Sequence, residues 1–148
     1  MKLLTETNTT LLNISLLMLR LTVGIILFLA GAGKVLGWFG GMGIDATLDI
    51  FVSQMGIHPI LAYLSSYTEF ICGFLLIVGL LTRPAAFAIM INMLVAAVVT
   101  LPNGFLKGAS YPFSMMVSSI IVLLAGPMAY SLDAWFLSGR NGHYSKIS

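Results

Sequence analysis

Charged side chains are scarce in this chain. Seven Lys or Arg and five Asp or Glu among 148 residues make 8%, where a soluble domain carries about 25%. With 59% of residues hydrophobic and a mean hydropathy of +1.03, the apolar residues cannot all be hidden in one small core. An ordinary soluble domain is thereby excluded, and a lipid bilayer is the solvent for most of the chain. The net charge of +2 is weak and dispersed, which excludes a phosphate-tracking patch and with it nucleic acid as a partner. Cysteine occurs once, as Cys72, so an intramolecular disulfide, a CxxC pair and a thiolate zinc site are all excluded. Histidine occurs only as His58 and His143, which the expected topology puts on opposite sides of the membrane. Two axial ligands for one haem therefore cannot come from within the chain, and no metal site is expected. Glycine-rich nucleotide loops, HExxH and a Ser, His and acid set within one leaflet are also lacking.

Long apolar runs are what the chain does have. A helical span needs roughly 20 mostly apolar residues, and four such runs are bounded by breakers, at about 14–37, 60–81, 84–101 and 112–131. Gly40-Gly41-Met42-Gly43 follows the first, Thr82-Arg83-Pro84 joins the second to the third, and Leu101-Pro102-Asn103-Gly104 closes the third. The reading is an all-α, polytopic membrane protein, one four-helix bundle over residues 1–148, with the second and third spans as an antiparallel hairpin. Between the first two spans, Ile44, Leu48, Phe51, Val52 and Met55 recur at helical spacing, which predicts a short helix on the membrane surface. Pro127 is placed to kink the fourth span. Basic residues in short loops mark the cytoplasmic side. With both termini inside, that side holds Lys2, Arg83, Arg140 and Lys146 against Lys107 outside. This predicts an inner-membrane protein with cytoplasmic N- and C-termini. A competing reading takes Leu21–Leu29 and Ala30-Gly31-Ala32 as a signal peptide with its cleavage site, but the apolar stretch continues on both sides.

Ionisable groups inside a span cost several kcal/mol, of order 3 at the helix centre, unless they snorkel, pair or face a wet cavity, so they are the candidate functional residues. On the first span Arg20, Gly24, Gly31 and Lys34 fall within roughly 80° of one another, a stripe about 21 Å long. Its glycines allow close helix approach, which turns the stripe toward the bundle. On the second span Glu69, Gly73, Leu76, Leu80 and Arg83 share a face. Antiparallel packing then predicts a Lys34–Glu69 contact in the outer half and an inner cluster joining Asp133 to Arg20 or Arg83. Snorkelling is the structural alternative for Arg20, Lys34 and Arg83. Asn92, on the small-residue face of the third span, is read as an interhelical hydrogen bonder with a ligand role as the alternative.

The run Leu19-Arg20-Leu21-Thr22-Val23-Gly24, followed by Phe28, Gly31 and Lys34, resembles the opening helix of the DoxX family of small bacterial membrane proteins. Glu69, Gly73, Gly79-Leu80-Leu81-Thr82-Arg83, Gly126 and Ser131-Leu132-Asp133 are similar to its later pattern. The resemblance implies a four-helix inner-membrane protein associated with oxidoreductase systems, with relatives such as the small subunit of a thiosulfate:quinone oxidoreductase. It implies a soluble or membrane redox subunit as partner and Arg20, Gly24, Gly31, Lys34, Glu69, Arg83 and Asp133 as matched positions, without saying which does chemistry; the polar, charge-bearing bundle interior itself suits a small amphipathic molecule such as a quinone, or the docking of another subunit. A chain that is not catalytic alone is expected. A scaffold or assembly factor and, third, a small-molecule carrier stay open beside it, as does assembly into a homo-oligomer.

Overall fold

A computed structural model describes residues 9–126 and 131–133. Its helices are α1 (Thr9–Leu36), α2 (Gly43–Ser53), α3 (Pro59–Val78), α4 (Thr82–Thr100) and α5 (Ser110–Ala125). The protein is all-α, with no strand among the described residues. Four helices are long and apolar enough to cross a membrane: α1, α3, α4 extended by a 3-10 turn to Asn103, and α5 preceded by a π turn from Phe105. The fifth, α2, is the short interfacial helix.

Local sequence explains where these helices start and stop. Pro59, with its fixed φ and missing N–H, opens α3, and His58 Nδ1 accepts from Ile60 N at 3.4 Å. Gly79 closes α3 in the left-handed conformation at φ 73, with Gly79 N and Leu80 N both donating to Leu75 O. Only Gly79, Leu80 and Leu81 separate α3 from α4. The fourth crossing begins at Phe105, ahead of the polar Lys107-Gly108 pair, and ends at Ala125, where Gly126 turns left-handed at φ 70. Pro127 lies outside the described residues, as do Lys2, Arg140 and Lys146, on which the predicted orientation leans.

The α3–α4 hairpin forms, yet the most extensive packing is between α1 and α3 and between α4 and α5. Glycine explains the α1–α3 seam. Gly24 lies against Ile77, Phe28 against Gly73 and Gly31 against Phe70, a continuous antiparallel register. A Cβ on Gly73 would fall 2.5 Å from Phe28 N, so only glycine permits this backbone approach. Phe28 and Phe70 stack across the same seam at 5.2 Å. Val23, Leu27, Leu76, Ile89, Met93 and Val122 fill the core. Ile44, Leu48 and Phe51 of α2 are partly buried as the periodicity predicts, but Val52 and Met55 are exposed. The helix ends at Ser53, too early to carry Met55, and the buried position on its bundle-facing side is Thr47.

Candidate functional site

The α1–α3 register brings Lys34 and Glu69 together. Gly31, one turn before Lys34, lets the α1 backbone lie against Glu69 and Phe70, so the lysine side chain reaches the carboxylate from the next turn. Lys34 Nζ donates to Glu69 Oε1 at 2.7 Å and to Oε2 at 2.6 Å. The two members differ in access: the side chain of Glu69 is 4% exposed and that of Lys34 is 30% exposed. In an apolar surrounding, this pairing keeps the carboxylate from being stranded. Two ammonium N–H groups suffice for Glu69, and a third remains for another acceptor.

Around the lysine lie groups that no sequence pattern joins to it. The Phe51 ring of α2 sits 5.7 Å from Lys34 Nζ, within reach of a cation–π contact. Thr47 Oγ1 donates to Gly43 O at 2.7 Å and to Lys34 O at 3.3 Å. Thr47 and Phe51 are one helical turn apart, and that spacing is the signal that could have found them. Tyr111, at the start of α5, lies within the electrostatic reach of Glu69. A recess of about 310 Å³ adjoins the pair, lined by Leu29, Lys34, Trp38, Phe39, Met42 and Thr47 among others. Its lining is mostly apolar side chains and glycine backbone, with Lys34 and Thr47 the two polar residues among them.

At the other end of the bundle the charges are arranged differently. Arg20 is 2% exposed and lies against Gly79, where a Cβ would fall 2.7 Å from Nη1. Asp133 Oδ1 accepts from Leu81 N and Oδ2 from Thr82 N, both at 2.8 Å, while Asp133 N donates to Gly79 O at 3.0 Å. Leu81, the residue at the N-cap position of α4, has no side-chain oxygen, and a carboxylate from 52 residues away supplies the cap instead. Burial alone would raise the Asp133 carboxyl, but the backbone N–H donors of Thr82 and Leu81 and the nearby charge of Arg20 hold it below its ordinary value. Of the two arginines, Arg20 is thus the one that acts on Asp133. Arg83 lies instead against Gly126, where a Cβ would meet its Nε and Nη2 at 2.7 Å. A cation in the first turn of α4 is poorly placed for that helix dipole, but there it faces the C-terminal end of α5. Asn92 Nδ2 donates to Ser65 O at 3.5 Å, a long interhelical bond between α4 and α3. Among the described residues no three His, Cys, Asp or Glu side chains converge on a metal position.

Four apolar crossings, a glycine seam and a buried ion pair beside a recess define a small polytopic membrane protein with a polar site at one end of its bundle. Residues 15–102 match the DoxX family, and the chain belongs to it. It is similar to "Putative oxidoreductase CatD" of Bacillus subtilis, 30% identical over 135 residues that cover 90% of this chain and 96% of that protein. It is also similar to "Uncharacterized membrane protein Rv3486" of Mycobacterium tuberculosis, 31% identical over 140 residues covering 80% of this chain and 79% of that one. No solved structure matches the chain.

Proposed function

We propose that the protein is the membrane subunit of a quinone-linked oxidoreductase complex of the inner membrane, with both termini cytoplasmic, and that the quinone headgroup binds at Lys34 and Glu69. The observation that carries this reading is the partly exposed lysine: its ammonium neutralises Glu69 and keeps an N–H for a second acceptor, and Lys34 is among the residues that line an apolar recess. A quinone supplies redox chemistry and needs a donor to its carbonyl together with an apolar wall. Lys34 would orient the carbonyl, Trp38, Phe39 and Met42 would exclude water from the ring, and Glu69 would hold or accept a proton through Lys34. The kinship with a protein named as an oxidoreductase supports a redox setting. In this reading electrons come from a partner subunit.

Purified protein tests this with a short-chain menaquinone or ubiquinone analogue. The expected result is saturable binding that Glu69→Gln and Lys34→Gln each weaken by at least tenfold while circular dichroism stays helical. Folded wild-type protein that binds neither analogue would overturn the reading. A second reading, a non-catalytic scaffold for a redox complex, is favoured by the burial of Glu69 and the engagement of both its oxygens. Capture of a soluble redox enzyme by a bundle that holds no ligand would select it.

A further inference from the structure

The short helix α2 is bounded by glycines on both sides. Ahead of it Gly37, Gly40 and Gly43 have φ of 71, 82 and 78, and behind it Gly56 has φ 64, all in the region that favours glycine. At Gly40 and Gly56 a Cβ would meet nothing within 4 Å. Crowding therefore does not demand glycine there, and backbone freedom is what it contributes. Between these hinges, the contacts of α2 with Lys34 are few and weak: the 3.3 Å hydroxyl contact of Thr47 with Lys34 O, and the Phe51 ring 5.7 Å from the ammonium. Elsewhere α2 is amphipathic, with Asp45, Asp49 and Val52 exposed. By contrast, the α1–α3 seam and the contact of Gly41 with Gly33, which pins the turn before α2 to α1, are backbone against backbone and have no slack.

We propose that α2, pivoting about Gly43 and Gly56, forms a hinged cover over the Lys34–Glu69 pair, whose opening admits a lipid-soluble ligand from the recess lined by residues 38–42. The inference rests on the quinone reading for the identity of the ligand and not for the motion. Closed, the Phe51 ring lies over the ammonium that pairs with Glu69, and Thr47 ties α2 to the Lys34 backbone carbonyl. Open, the cover leaves the ammonium free to turn toward a carbonyl acceptor while α1 and α3 stay packed.

Two readouts on the full chain in nanodiscs separate the motion from the ligand. The first is the rate at which dicyclohexylcarbodiimide, an apolar carboxyl reagent, forms an adduct at Glu69, followed by peptide mass with Glu69→Gln as the blank. Thr47→Val and Phe51→Leu should each speed the adduct about threefold and together about tenfold, with Leu124→Ala, on the far apolar surface, leaving it unchanged. The second is hydrogen exchange, in which the amides of α2 should exchange at least tenfold faster than those of α3 around Glu69, and the variants should speed only α2. Adduct rates unchanged in the double variant, or α2 and α3 exchanging as one unit, would overturn the cover. If labelling accelerates as expected but no quinone analogue binds, the cover stands and the quinone reading falls. If an analogue binds with on-rates indifferent to the double variant, the quinone reading stands and the cover falls.

Discussion

The two ends of this bundle hold the same kinds of side chain and use them for opposite purposes. At the α2 end a lysine and a glutamate meet side chain to side chain, one nearly buried and one partly open to a recess. At the Gly79 end an aspartate ignores the nearest exposed arginine and binds backbone amides, tying residue 133 to the start of α4. The first arrangement leaves a donor available. The second uses both carboxylate oxygens on N–H groups that would otherwise be unsatisfied. The lesson is that an intramembrane charge marks a functional candidate only after its partners are known, because a charge at a helix end has structural work that sequence alone does not distinguish.

Several substitutions sharpen this contrast, each read by thermal or denaturant unfolding in one detergent. The largest effect is expected from Lys34→Met, which strands Glu69 and should cost about 3 kcal/mol. Glu69→Gln should cost clearly less, because the partly exposed lysine can turn toward the recess. Equal losses would mean that the pair is as closed on one side as on the other. Gly31→Ala comes next, at about 2 kcal/mol, since the added Cβ must push the α1 and α3 backbones apart at Phe70. At the Gly79 end, Asp133→Asn should cost about 1 kcal/mol, since the amide keeps one acceptor oxygen but loses the second N–H acceptor and the charge. That aspartate also sets a pH dependence. Its folded-state affinity for protons is lowered, so its contribution is full above about pH 4 and is lost as the pH falls further. The difference between wild type and Asp133→Asn should therefore shrink on acidification, and a difference that grows would contradict the cap. Asn92→Leu is the smallest, about 0.6 kcal/mol for one long interhelical bond.

Much of the fold was legible because lipid imposes simple rules. Apolar run length and breakers located the four crossings, and the shared faces of Gly24, Gly31 and Lys34 with Glu69 and Gly73 anticipated which helices touch. The Lys34–Glu69 contact follows from that seam plus antiparallel direction. What escaped the sequence is what depends on long-range return of the chain. Nothing local shows that Asp133 would cap α4, since a cap is normally read from the residue just before its helix, and that residue is Leu81. Arg83 looked like a partner for Asp133 because charge was the only criterion, whereas Gly126 offers it the end of a helix. Phe51 was legible as a residue of an amphipathic helix, while Thr47, a polar residue between its apolar positions, was not, and neither was legible as a neighbour of Lys34, because the glycine-rich turn that folds α2 back has no period to read. The fourth crossing starts at Phe105 because the backbone stays helical, as a π turn, through the polar Lys107-Gly108 pair.

The central claim is that the Lys34–Glu69 pair is a ligand site and not only a structural lock. The most direct measurement is made on the charge-swapped protein Lys34→Glu with Glu69→Lys, recording unfolding temperature and quinone-analogue affinity on the same preparation. The swap should recover most of the stability lost in the single variants, while affinity falls at least tenfold because a carboxylate then stands at position 34 beside the recess. A swapped protein that binds the analogue as tightly as wild type would contradict that claim and leave the pair as a bolt between two helices.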